Sequence, residues 1–173
     1  FISCGESDGD YNDYTVSNMV LNLKDTLNFL KGKCFEKFIL VGCSMGGRII
    51  SLINDNEFNV KKIVLWYPAL DYGRGIFDIP SKKEKIAKKQ GFYQIEKGCK
   101  LSYEYFVDER KYRAYRELYK KQCKKLFVHG TADPYVSFVS SQKISNKCKN
   151  SKLILIENAD HGFHNESHMT KAL

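Results

Sequence analysis

The chain has no C-x-x-C pair, and its six cysteines (4, 34, 43, 99, 123 and 148) are scattered over 173 residues. That scatter argues against a disulfide framework and for reduced thiols, hence a cytoplasmic setting. No run of eighteen apolar residues is present, so nothing spells a membrane-spanning helix. No cationic stretch followed by an apolar one spells a secretory signal. Low-complexity linkers are also missing, and the length suits one domain, 1–173, with a sizeable core. Acidic residues run short in a single place. Between Pro80 and Lys124 stand fourteen Lys and Arg against six Asp and Glu, which accounts for the whole formal charge of +8. The basic residues there are interleaved with Glu, Ala, Leu and Tyr. That pattern predicts a solvated helical face and excludes nucleic acid as the expected partner. The first residue is Phe1 rather than Met, Phe1-Ile2-Ser3-Cys4-Gly5 reads as the tail of a strand, and Met169–Leu173 stops inside a helical pattern. A fragment of a longer protein, cut at both ends, is the expectation.

What the chain does contain is organised around Phe38-Ile39-Leu40-Val41-Gly42-Cys43-Ser44-Met45-Gly46-Gly47. Four apolar residues predict a buried parallel strand, and Arg48-Ile49-Ile50-Ser51-Leu52-Ile53 predicts a helix packed on a sheet. Between them Gly42-Cys43-Ser44-Met45-Gly46 is a G-x-S-x-G turn. Such a turn holds its serine on a strained bend, and flanking glycines let strand and helix approach. The Met45 backbone N–H and the helix N-terminus would face negative charge developing on a carbonyl oxygen.

Three more apolar strands follow, Ile63–Tyr67, Lys125–Gly130 and Leu153–Ile156, with helices around Ser44–Asn54 and Phe138–Cys148. Upstream, Val16, Val20, Leu23, Leu27 and Leu30 form a helical stripe, capped by Thr15 or Ser17 and ended by Gly32. Alternating strands and helices call for a mostly parallel sheet flanked by helices, with ligands beyond the carboxyl ends of the strands. The interruption, 71–122, is too long for a connection. Helices over Ser81–Lys89 and Asp108–Gln122 would make it an inserted helical lid. Its aromatics, Tyr93, Tyr103 and Tyr105 among them, are candidates for substrate contact, against the plainer reading that they pack the lid.

A serine hydroxyl needs an imidazole to take its proton, and the imidazole needs a carboxylate to fix its tautomer. Asp133 follows the third strand, in His129-Gly130-Thr131-Ala132-Asp133, and His161 follows the fourth, in Ala159-Asp160-His161-Gly162-Phe163. The rim would then carry Ser44, Asp133 and His161 in that chain order. Asp160 is the rival acid, but it directly precedes the base, and its side chain should point elsewhere. His129, at a strand end, reads as structural. No metal is expected: the Asp8, Asp10, Asn12 loop has Asp13 where a calcium loop needs glycine and Met19 where it needs glutamate. His164 and His168 flank Glu166 as H-x-E-x-H, not the zinc-protease pattern.

Taken together, these stretches resemble the α/β-hydrolase family, and within it the serine esterase and monoacylglycerol-lipase-like group, especially cinnamoyl or feruloyl esterases. Cys4-Gly5-Glu6-Ser7-Asp8-Gly9 is similar to that family's G-x-G-x-S-x-G loop. The resemblance implies an α/β-hydrolase fold whose early strands lie upstream of Phe1, with residues 71–122 as the lid. It further implies a cofactor-free serine hydrolase that cleaves a small-molecule carboxylic ester, of an aromatic kind in the closest group, with no membrane partner. Ser44, Asp133 and His161 would be catalytic, and the Met45 N–H half of the oxyanion hole. The second oxyanion donor, from a His-Gly loop upstream, would be missing. Losing such a donor costs on the order of a hundredfold in rate, which puts the activity of this stretch alone in question. Two alternatives stand beside this reading: a non-catalytic remnant binding a ligand or partner through its basic segment, and an acylglycerol lipase or peptidase.

Overall fold

The computed structural model describes residues 1–70, 82–96 and 99–172, which form two compact units. One unit comprises 30–70 and 114–172. In it the four expected strands form a parallel sheet in the order β1-β2-β5-β6: β1 (Phe38–Cys43), β2 (Val60–Trp66), β5 (Lys124–Gly130) and β6 (Ser151–Ile156). Parallel neighbours need crossovers, and α2 (Met45–Leu52) and α6 (Phe138–Ser145) supply two of them. Helices α5 (Ala114–Lys120) and α7 (Glu166–Ala172) belong to the same unit, α5 packing on α2 and α7 on β6. Ile63, Leu65, Phe127 and Val128 of the two inner strands are at most 1% exposed, as strands covered on both faces should be.

β1 departs from the continuous burial expected of it. Phe38 and Leu40 are buried, while Ile39 and Val41 are each 59% exposed. The cause is position: among the described residues β1 ends the strand order and pairs with β2 alone, and it alternates its side chains between a covered and an open face.

The other unit comprises 1–29 with 82–96 and 99–113. It contains most of α1 (Val16–Gly32), α3 (Lys82–Gln90), an antiparallel pair β3 (Phe92–Glu96) and β4 (Cys99–Ser102), and α4 (Tyr103–Glu109). Thr15 caps α1, its hydroxyl accepting from the Asn18 N–H at 3.2 Å. The helix ends at Gly32 as expected, but Gly32 is not the residue that closes it. The left-handed residue is Cys34 at φ 67°, with Phe35 N–H donating to the Leu30 carbonyl and Cys34 N–H to Lys31, a Schellman end without glycine.

The single helix expected over Asp108–Gln122 is two. Ser102 starts α4 by accepting from the Tyr105 N–H at 3.1 Å. Asp108 is held by the Ser17 N–H at 2.7 Å, the Ser17 hydroxyl at 2.6 Å and Lys111 at 2.8 Å, and the chain turns there before α5. Of the segment expected as a lid, 71–81, 97 and 98 lie outside the described residues. Residues 82–113 group with 1–29, and α5 groups with the sheet.

Candidate active site

β1 ends at Cys43, α2 begins at Met45, and Ser44 between them has φ 47° and ψ −113°, a conformation that non-glycine residues rarely adopt. Such a backbone costs about 1–3 kcal/mol and persists only where its surroundings hold it. Here Ser44 N–H donates to the Trp66 carbonyl at 2.9 Å, and the Ser44 carbonyl accepts from Arg48 at 3.2 Å and Ala69 at 3.0 Å. The serine hydroxyl does not cap α2. Crowding explains two of the three glycines. A Cβ on Gly42 would lie 2.6 Å from the Gly46 carbonyl, and one on Gly47 would lie 2.7 Å from Pro68, whereas one on Gly46 would meet nothing within 4 Å. The strand–helix approach is therefore guarded at 42 and 47, not at the second glycine of the G-x-S-x-G pattern.

Past β5 and β6, two loops are stitched together by backbone. Thr131 N–H donates to Ile156, Ala132 N–H to Ala159, and Asn158 N–H to the Thr131 hydroxyl, each at 2.9–3.0 Å. Gly130 makes the approach possible, since a Cβ there would fall on the Ala159 carbonyl. This juncture brings Asp133 to His161, with Oδ2 2.7 Å from Nδ1. A carboxylate only accepts, so Nδ1 carries the hydrogen, and Nε2 presents its lone pair on the opposite side of the ring. The imidazole is 19% exposed and the carboxylate fully buried.

Burial alone would raise the Asp133 carboxyl. The Val136 N–H, the His161 bond and the Tyr135 N–H outweigh it, and the group is held below the ordinary carboxylate range. Asp160, the rival acid, turns away and pairs with His164 at 2.8 Å.

Tyr67 links the elbow to the imidazole. It follows β2 at φ 35°, its N–H donates to Val128 at 2.8 Å, and its ring lies 4.5 Å from that of His161. Burial, then the Cys43 thiol beside Ser44, then the charge of Asp133 push the phenol up to about 12. Tyr135, 81% exposed, meets the His161 ring edge-on at 5.4 Å. Neither tyrosine was singled out in the sequence; the signal available was an aromatic directly after one rim strand and another two residues past Asp133.

The structure thus joins Asp133 to His161, ties the elbow to His161 through Tyr67, and leaves the Ser44 hydroxyl without a hydrogen bond to another described residue. Catalytic hydrogen bonds often tighten only once substrate is bound. The three tyrosines of the segment expected as a lid lie in the other unit. Tyr93 sits under Lys83, Tyr103 under Lys88, and Tyr105 is 4% exposed and stacked on Tyr14. Among the described residues no three His, Cys, Asp or Glu cluster as metal ligands, and no helix is long and apolar enough to cross a membrane.

Solved structures share this architecture. The chain is similar to Est1E from Butyrivibrio proteoclasticus, solved with ferulic acid bound, at 21% identity and a TM-score of 0.77 over 96% of this chain and 68% of that one. It is also similar to a monoacylglycerol lipase from Paleococcus ferrophilus (18%, TM-score 0.67, 97% and 77% covered). A third similar structure is the mouse alpha/beta hydrolase domain-containing protein 10 (21%, TM-score 0.72, 99% and 71% covered). At these identities the likeness shows the α/β-hydrolase fold. No curated protein matches the chain. A family model described as Serine hydrolase (FSH1) matches residues 41–173, from within the elbow strand through both rim loops, and the chain therefore belongs to that serine hydrolase family.

Proposed function

We propose that the chain cleaves a carboxylic ester through an acyl-enzyme. In this reading Ser44 Oγ attacks the acyl carbon while His161 Nε2 takes its proton. Asp133 holds the resulting imidazolium, and the Met45 N–H meets the oxyanion. The protonated His161 then gives its proton to the departing alcohol. Water, deprotonated by the same nitrogen, releases the acid and restores the serine. The observation that carries the reading is the 2.7 Å Asp133–His161 bond on the rim where Ser44 is held in a strained conformation. For the acyl group we favour an aromatic, cinnamoyl or feruloyl kind. Support comes from the aromatic rings of Tyr67 and Tyr135 beside His161 and from the ferulic acid named with Est1E.

Intact mass after incubation with a fluorophosphonate tests the chemistry. One adduct that vanishes in Ser44→Ala is expected; an adduct that persists in the variant, or none on the original chain, rejects it. Rates on cinnamoyl, acetyl-aryl and monoacylglycerol esters then test the acyl preference.

A further inference from the structure

A second imidazole reaches the same carboxylate. His129, in β5, is fully buried, with Nε2 3.2 Å from Asp133 Oδ2 and 2.9 Å from the Val136 carbonyl, and Nδ1 2.8 Å from the Ser141 hydroxyl of α6. Both neighbours of Nε2 only accept, so Nε2 must carry a hydrogen. Burial outweighs the Val136 carbonyl and the charge of Asp133 and pulls the His129 ring toward its neutral form, so Nδ1 is bare and Ser141 O–H donates to it.

We infer that His129 is a positioning residue for Asp133, its shared Nε2–H clamping the carboxylate and the far end of the 133–136 turn at once. Asp133 sits on a loop past the end of β5. Its Oδ1 takes the Tyr135 and Val136 N–H groups at 2.8 and 2.9 Å, which shapes the turn but anchors it to nothing rigid. His129 belongs to a strand, Ser141 to a helix, and through them the turn is fixed to both. Oδ2 thereby receives two N–H donors, His129 from the core side and His161 from the rim. A donor that stays neutral keeps the carboxylate ionised without adding a charge that would compete with the imidazolium. The chain Ser141, His129, Asp133, His161 runs from the core to the site with every bond direction determined.

The inference rests on the proposed serine chemistry, and its tests separate the two. His129→Phe keeps a ring and loses the donor; His129→Gln keeps an N–H near the Nε2 position. We expect the Phe variant to lose about tenfold to a hundredfold in kcat with little change in KM, and the Gln variant to recover most of it. In proton NMR spectra the downfield His161 Nδ1–H resonance should shift in the Phe variant and return toward its original place with Gln. Equal rates in the Phe variant and the original chain, or equal loss in both variants with that resonance unmoved, would overturn the inference. If the Phe variant does not fold, ¹⁵N spectra of the original chain decide. A neutral His129 protonated at Nε2 supports the clamp, and one protonated at Nδ1 rejects it. No fluorophosphonate adduct would reject the serine chemistry, while the NMR readouts would still decide whether His129 holds Asp133.

Discussion

Two of the histidine–aspartate pairs among the described residues have nearly the same bond. His161 Nδ1 lies 2.7 Å from Asp133 Oδ2, and His164 Nδ1 lies 2.8 Å from Asp160 Oδ2. Everything else about them differs. The first joins residues 28 apart in sequence, has a fully buried carboxylate, and depends on β5 and β6 being side by side. The second joins residues four apart, with side chains 76% and 46% exposed, and its geometry is reinforced by the His164 N–H on the same carboxylate. Bond length therefore says little about what such a pair can do. An exposed pair is solvated and screened, and contributes little. A buried carboxylate with four N–H donors is held in one protonation state and one orientation, which is what a base-orienting acid requires.

The sharpest way to break the comparison is amide substitution at the buried acid. Asp133→Asn should lower kcat on fluorophosphonate-reactive chemistry by about four orders of magnitude, because an amide can turn its NH₂ toward Nδ1 and force the hydrogen onto Nε2. Steady-state rates on an aryl ester check it, and a loss under tenfold would remove Asp133 from the mechanism. The same variant tests the electrostatics. The folded-state pKa of Asp133 lies below the unfolded value of about 3.9, so its stabilisation is present above that value and is lost as pH falls through the folded one. The stability gap between original chain and variant, from urea unfolding, should accordingly narrow below about pH 4.

A second, smaller disruption separates the pairs without touching either. Gly130→Ala places a Cβ against the Ala159 carbonyl, where the two rim loops meet. The expected cost is about 1–3 kcal/mol in stability together with more than a tenfold fall in kcat, as the Asp133–His161 distance opens. The local Asp160–His164 pair should survive, visible as unchanged His164 ring chemical shifts by NMR. If kcat falls no further than stability explains, the juncture at Gly130 is only packing.

How much of this was legible depended on whether the cause was local. The four strands, the elbow and the order Ser44, Asp133, His161 follow from apolar runs and turn residues next to one another in sequence. The helix break before α5 did not, because it is set by Ser17 gripping Asp108 from 91 residues away. β3 and β4 fell inside the segment read as a helical lid, although Phe92-Tyr93-Gln94-Ile95-Glu96 carries strand formers after a glycine at φ 90°. Half-exposed β1 was read as buried since its composition matches an inner strand, and strand order is not written in composition. His129 was read as a structural residue at a strand end, and in the fold it is fully buried there. Its bond to Asp133 was invisible because it depends on how the three intervening residues and the Asp133 turn that follows them bend the chain back toward β5.

The weakest perturbation completes the contrast. Asp160→Asn removes an exposed acceptor whose pKa is lowered chiefly by the His164 side chain and N–H, both of which water can replace. The rate should stay within about twofold and the urea midpoint should barely move, with that small difference shrinking further in high salt. The adjacency of Asp160 to His161 gives this variant its force. A change one residue from the proposed base, at a pair whose bond matches the buried one, should do almost nothing if position on the buried side of the ring, and not proximity in sequence, selects the acid. An effect as large as that of Asp133→Asn would transfer the acid role to Asp160 and make the buried pair structural.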